Sequence, residues 1–157
     1  MRALQMALGL VIILFGLLLL LVTNGLIALT LVDVAGIALI LSGLLFWVPS
    51  IAWRQRAPGL TVLFIPGSLA FVVGAVLMYT GRAGWNEWTY LWATFLVALG
   101  FAFLAMYYLG LHARGLWLAG IGVGGIGVFL LAFLASLFGS DPMARVAGPV
   151  ILIALGL

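Results

Sequence analysis

Long apolar runs broken by short polar stretches set the pattern of this chain. Six runs emerge, at about 3–22, 34–53, 60–80, 88–109, 116–138 and 143–157. A helix needs roughly 20 residues at 1.5 Å rise to cross about 30 Å of hydrocarbon. The first five runs meet that length. The sixth has about fifteen residues before Leu157. Ending there would leave its last carbonyls poorly solvated, so the expectation is a natural chain that continues. The alternative is a final helix that stops short near the inner leaflet. The clearest unit is 65–103, IPGSLAFVVGAVLMYTGRAGWNEWTYLWATFLVALGFAF, which reads as two spanning helices around a short aqueous turn.

Element ends carry their own signals. Ser140, Asp141 and Pro142 give a capping side chain followed by proline at the first helical position, where its missing N–H is harmless. Asp33 is the predicted cap of the second helix, and Asn86 or Glu87 that of the fourth. Pro58, Gly59 and Gly81 punctuate turns. Pro66 and Pro149 fall inside predicted spans and are expected to kink them.

Stacking the segments in pairs exposes a repeat of roughly 50–58 residues. Odd segments carry glycines seven apart: Gly9 and Gly16, Gly67 and Gly74, Gly120 and Gly127. Even segments carry a late glycine in similar phrases, ILSGLLF at Gly43, VALGFAF at Gly100 and IALGL at Gly156. Glycines two turns apart lie on one helix face and let neighbouring backbones approach closely. The predicted fold is an all-α integral membrane protein of six transmembrane helices, arranged as three tandem helical hairpins. The whole of 1–157 forms one transmembrane domain, with repeats at about 1–56, 57–113 and 114–157.

Composition agrees and narrows the function classes. Of 157 residues 68% are hydrophobic and 6% charged, with mean hydropathy +1.44. Soluble domains carry about 25% charged residues, so lipid is the solvent for most of these side chains. The charged groups are six arginines and three acids, and all lie between or at the ends of the apolar runs, Arg145 within the first turn of the sixth. Charge at a helix centre costs about 2.5–3.5 kcal/mol on insertion scales. The net charge of +3 is dispersed along loops and does not form the clustered face that nucleic acid requires. Cysteine is absent, which excludes disulfides, thiol catalysis and cysteine metal sites. The run after Met1 and Arg2 exceeds the 7–15 residues of a secretory h-region and reads as a retained span.

Arginine placement predicts orientation. Arg2, Arg54, Arg56 and Arg114 fall in the N-terminal tail and in the loops after the second and fourth segments. Arg82, Arg145 and the acids Asp33, Glu87 and Asp141 fall in the other loops. The four-to-two split predicts a cytoplasmic N-terminus.

Chemistry-bearing residues are few. Tyr79, Trp85, Trp88, Tyr90 and Trp92 flank the central outer turn, and Trp47, Trp53, Tyr107, Tyr108 and Trp117 flank the inner ends, as an interfacial belt does. Trp85, Trp88 and Trp92 share one helical face and form a candidate patch for docking a partner. His112, the only histidine, is a candidate cofactor ligand, although Arg114 and Gly115 place it in a solvated loop. Asp33, Glu87 and Asp141 could line an outer cation mouth, but capping and loop solvation account for them. No titratable group falls at mid-span, where proton relays and coupled transporters place theirs. The glycine run GIGVGGIG at 120–127 lies within a lipid helix, which rules out a nucleotide fingerprint. Ser42, Ser68, Thr94 and Ser136 are too sparse to line a polar pore. No catalytic constellation, metal site or cofactor is predicted; bound lipid is compatible with such a surface.

The phrases GLVIILFGLLLLLVTNGL with ILSGLL, and GIGVFLLAFLASLFG with GPVILIALGL, resemble bacterial transmembrane hairpins of the LiaI–LiaF type, with Pro149 matching the proline before that family's apolar LI-x-x-G phrase. The central PGSLAFVVGAVLMY…GWNEWTYLWATFLVALGF is similar to uncharacterised bacterial membrane proteins with this repeat. The first two even helices lack the family's Trp-Pro opening, and the soluble domain of its envelope-stress regulators is not among these residues. A fainter similarity is to six-helix acid-resistance proteins of the HdeD type. The resemblance implies a multi-pass protein of the bacterial plasma membrane. The expected function is non-enzymatic, through helix–helix contacts, as an accessory subunit of a larger membrane complex or an envelope-stress-type regulator. Its partners would be membrane lipids and other membrane subunits or further copies of itself. The alternative is a small channel or facilitator for a neutral or apolar solute.

Overall fold

The computed structural model describes residues 30–53, 55–139 and 142–156, and in the first 29 only Gly9, Ile12, Ile13, Gly16, Leu17, Leu20 and Asn24. Most of the first predicted span, Arg2, Arg54, the cap at Ser140 and Asp141, and the side chain of Arg145 lie outside the described residues. Within them the chain is helical throughout, with α1 (Leu31–Ala52), α2 (Phe64–Ala83), α3 (Trp88–Leu91), α4 (Ala93–Met106), α5 (Arg114–Phe138) and α6 (Pro142–Gly156). A 3₁₀ turn, Pro58–Leu63, leads into α2, another, Trp85–Glu87, leads into α3, and a π turn, Tyr107–Leu111, extends α4. Four of these helical stretches are long and apolar enough to cross a membrane: Leu31–Ala52, Pro58–Ala83, Ala93–Leu111 and Arg114–Phe138. The chain is therefore read as a membrane protein.

The interior is built from small residues. Among the described residues the largest side chains that are fully buried are Thr61, Thr80, Ser50 and Ser68, beside Ala93 and Ala102, and Phe64 and Met106 are the chief bulky residues nearly so. Large apolar side chains point outward instead, with Phe101, Leu118, Ile126, Phe129 and Leu137 each at least half exposed. Water would enforce the opposite arrangement. In lipid no hydrophobic drive pulls leucines inward, so helices associate by close van der Waals contact, and small residues permit it. Most hydroxyls in this interior turn back on their own helix, as Thr80 does to the Val76 carbonyl (2.9 Å) and Ser136 to the Ala132 carbonyl (2.6 Å); Ser68 does not. Ser50 also reaches the Leu60 carbonyl (3.0 Å), fastening the end of α1 to the following turn.

Packing is most extensive between α1 and α2 and between α4 and α5; α2 and α4 touch less. The closest pairs thus straddle the boundaries of the expected repeats at 57 and 114. Within the expected unit 57–113 the two helices are the looser neighbours. Glycine position explains this. A β-carbon built on Gly43 would lie 2.5 Å from the Gly67 carbonyl oxygen, and one on Gly74 would lie 2.5 Å from the Gly36 carbonyl oxygen. Two glycines on α1 therefore face two on α2, and the backbones meet. The second pair repeats the device, with Gly100 against Gly124 and Gly127 2.6 Å from the Val97 amide nitrogen on the same construction. α6 joins α5 where Gly148 meets Ser136 and Ala132.

Two expected caps are corrected. Thr30, not Asp33, caps α1: its hydroxyl accepts from the Asp33 amide (3.2 Å), and Asp33 Oδ2 accepts from the Thr30 amide (3.1 Å). This reciprocal box satisfies two N–H groups at once, and Arg82 reaches Asp33 Oδ1 at 3.4 Å from the end of α2. Thr30→Ala removes one half of the box and should lower helix stability by about 1 kcal/mol, read as a fall in thermal midpoint in detergent. Neither Asn86 nor Glu87 caps a helix with its side chain; Glu87 turns inward and is 3% exposed. Pro66 lies in the first turn of α2, where a proline removes no needed hydrogen bond, whereas Pro149 lies inside α6.

Candidate functional site

The seam between the α1–α2 pair and the α4–α5 pair is where chemistry gathers. Trp47, near the end of α1, stands at its centre. Its indole stacks on Phe71 (ring centroids 5.6 Å, planes 20° apart) and meets Phe64 at 6.0 Å and Phe101 at 5.9 Å. The ring fits because Gly67 lies beneath it: a β-carbon there would be 2.6 Å from Trp47 Cδ1. The sequence pattern puts Trp47 in the inner interfacial belt; the structure places it among three helices. Phe64, Ala102 and Met106 form the buried cluster against which it packs.

Beside this aromatic group lies a cavity of about 320 Å³, lined by Trp47, Ser68, Phe71, Val97, Phe101 and Leu131 among others. Trp47 Nε1 and Ser68 Oγ are both buried without a hydrogen-bond partner. Ser68 differs from Ser42, Ser50, Thr80, Thr94 and Ser136, each of which donates to a backbone carbonyl.

A second cluster sits at the turn between the pairs. Glu87 and Tyr90 are 3% and 5% exposed, and the Tyr90 phenol is hydrogen-bonded with the side chains of Glu87 and Tyr79. Burial first, and then these neighbours, push the phenol well above the ordinary tyrosine range. The cluster ties the turn to the end of α2.

The candidate docking tryptophans are brought together in part. Trp85 and Trp88 stack with planes 7° apart and centroids 6.3 Å, and Trp88 also meets Phe95 at 6.1 Å. Trp85 is 61% and Trp92 43% exposed, while Trp88 is half-buried with its Nε1 unpartnered. Of the glycines predicted to pack, Gly67, Gly74, Gly120 and Gly127 all lie at close helix approaches, Gly120 against Leu104 (2.7 Å to Cγ from a built β-carbon). At Gly9 and Gly16 a β-carbon meets nothing within 4 Å among the described residues. Gly36 and Gly100 are packing partners as well; Gly36 stands seven residues before Gly43, a spacing read above only on the odd segments, and Gly100 has no glycine at that spacing. Their close approaches depend on which helices pair, and the sequence pattern alone leaves that open.

His112 ends the π turn in a left-handed conformation (φ 41°), with Nδ1 3.1 Å from the Gly110 carbonyl and its ring 5.9 Å from Tyr107. Among the described residues no three His, Asp or Glu side chains gather as a metal site. Asp33 and Glu87 lie at the ends of spans opposite those that carry Arg56, His112 and Arg114. No family model, curated protein or solved structure matches the chain.

Proposed function

We propose that this chain is a non-enzymatic multi-pass membrane protein that works through helix–helix contacts, as an accessory subunit of a larger membrane complex. The observation that carries the reading is the tryptophan platform. Trp85 is held in place by stacking on Trp88 yet leaves most of its surface outward, and Trp92 is exposed a turn further on. A rigid aromatic held out at low entropic cost is the side chain that interfaces use as an anchor. The resemblance to LiaI–LiaF-type hairpins supports a bacterial plasma membrane location and leaves an envelope-stress regulatory role within the same reading; arginine placement supports a cytoplasmic N-terminus.

The test is mild-detergent extraction from native membranes, native-gel separation and mass spectrometry of co-migrating bands. The wild-type chain should travel with a defined larger assembly, and the double variant Trp85→Ala, Trp92→Ala should run free with its unfolding free energy within about 1 kcal/mol of wild type, as exposed sites allow. A wild-type chain that runs alone sinks the subunit reading. The second reading, a facilitator for a neutral or apolar solute, has the cavity at the seam in its favour, and solute flux in proteoliposomes is its discriminator.

A further inference from the structure

We infer that a cavity at the start of α5 binds the phosphate group of an anionic phospholipid. This inference rests on that cavity and is independent of the subunit reading. Local structure brings its two walls together. The π turn Tyr107–Leu111 extends α4, and His112, in its left-handed conformation, reverses the chain so that α5 begins at Arg114. Arg114, Trp117 and Leu118 then share one face of α5, at the three- and four-residue spacings of helical neighbours. Tyr107 supplies the other wall. Its ring is set edge-on to Tyr108 (centroids 5.2 Å) and lies beside His112 (5.9 Å). Tyr107, Arg114, Trp117 and Leu118 line a cavity of about 270 Å³.

Charge gives the ligand its first property. Arg114 has no ion pair among the described residues, where the salt bridge is that of Arg82 with Asp33. No other part of the chain can supply one from an acidic side chain. The three acids are Asp33, Glu87 and Asp141. The first two stand at the opposite ends of the spans, and Asp141 follows the far end of α5 in the sequence. At 1.5 Å per residue, the 25 residues of α5 hold the two ends about 37 Å apart. A carboxylate or phosphate for this guanidinium has to come from outside the chain. The guanidinium fork matches two oxygens of a phosphate at once. A phenol and an indole on the same cavity carry further donors.

Depth separates the two sources of a phosphate, a lipid headgroup and a free ion. The middle of the Arg114–Phe138 span falls at residue 126, twelve residues from Arg114 and eight from Leu118. At 1.5 Å per residue these are ~18 and ~12 Å from mid-membrane. The edge of the hydrocarbon, ~15 Å out, passes between them. The cavity thus straddles that edge, with a cation at the level of the phosphates and apolar surface a turn deeper. Leu118 is 63% and Trp117 39% exposed, so this deeper part is open to lipid. A free phosphate has no use for it, whereas a phospholipid brings hydrocarbon to it. A volume of about 270 Å³, just below the roughly 300–1,000 Å³ of small-molecule sites, holds a headgroup and the start of a chain. Net charge then selects among lipids. Arg56 shares this end with Arg114 and neither Asp33 nor Glu87 does, which favours an anionic headgroup over a zwitterionic one.

The test is native mass spectrometry of the full chain released from a mild detergent, titrated with phosphatidylglycerol and separately with phosphatidylcholine. Phosphatidylglycerol should fill a single saturable site per chain and bind several-fold more tightly than phosphatidylcholine. Arg114→Gln should weaken phosphatidylglycerol roughly 10-fold, the scale of a hydrogen bond to a charged group. Arg56→Gln removes the same charge at the same end but outside the cavity, and should change binding by about 2-fold at most. Leu118→Trp narrows the cavity at a lipid-exposed position without touching the charge, and should weaken binding as well. Melting curves by circular dichroism report that each variant folds. Equal losses in Arg114→Gln and Arg56→Gln reduce the binding to diffuse surface attraction and overturn the inference. Equal affinity for the two lipids overturns it too. Displacement of phosphatidylglycerol by inorganic phosphate gives the site to the free ion and also overturns it.

Discussion

Gly74→Leu should break the α1–α2 pair, and Gly74→Ala should already weaken it measurably. The atoms that a β-carbon would meet at Gly74 are the Gly36 carbonyl oxygen at 2.5 Å, Ile40 Cγ1 at 2.8 Å and the Ile40 amide nitrogen at 2.9 Å. Two of the three are backbone, so no side chain can swing aside to make room. Relief requires the helices to part, and parting at Gly74 also lifts Gly43 from Gly67, because both glycine pairs belong to the same crossing. Overpacking a well-filled contact costs about 1–3 kcal/mol and occasionally more. The alanine variant should fall in that range, and the leucine variant at or beyond its top. Gly125→Ala is the control, since a β-carbon there meets nothing within 4 Å; alanine in a helix is worth up to about 1 kcal/mol over glycine, so this variant should melt no lower than wild type. Thermal unfolding in one detergent, followed by circular dichroism, measures all three. Equal midpoints for Gly74→Leu and wild type would sink the packing account.

The helices are legible in the sequence because lipid imposes a simple rule on it. Residues 31–52 and 114–138 have to be apolar over about twenty positions to satisfy their backbone inside hydrocarbon, and that signal survives without any partner. Which helices pair is not legible. Glycines seven apart mark a face, yet the face of Gly67 and Gly74 could meet the fourth segment or the second. Only the structure shows it meeting Gly36 and Gly43. Glu87 reads as a loop acid because its neighbours are polar; its inward turn depends on Tyr90 and Tyr79, and Tyr79 sits on another helix. Ser68 reads as too isolated to matter. Its isolation is what distinguishes it, since every neighbouring hydroxyl finds a backbone carbonyl and this one does not.

Trp47→Ala should be among the most damaging single substitutions in the chain. Trp47 is legible as a tryptophan near a helix end, and belts of such tryptophans tolerate change because headgroups solvate them. The structure gives it a different environment: Phe64, Phe71 and Phe101 within about 6.0 Å between ring centroids, and Gly67 directly beneath. Truncating a packed tryptophan to alanine costs about 3–5 kcal/mol in water-soluble cores, where transfer and cavity terms add. Lipid removes most of the transfer term, because tails are as apolar as the protein interior. The lost contacts and the enlarged cavity remain, which sets the expectation near ~3 kcal/mol. Trp53→Ala is the matched comparison: the helix ends there, and if belt solvation governs that position the change should stay within about 1 kcal/mol. The two variants thus separate packing from interfacial anchoring by their melting midpoints in detergent. A Trp47→Ala protein as stable as Trp53→Ala would return Trp47 to the belt. A deficit of about 3 kcal/mol places the joint between the two helix pairs at this ring.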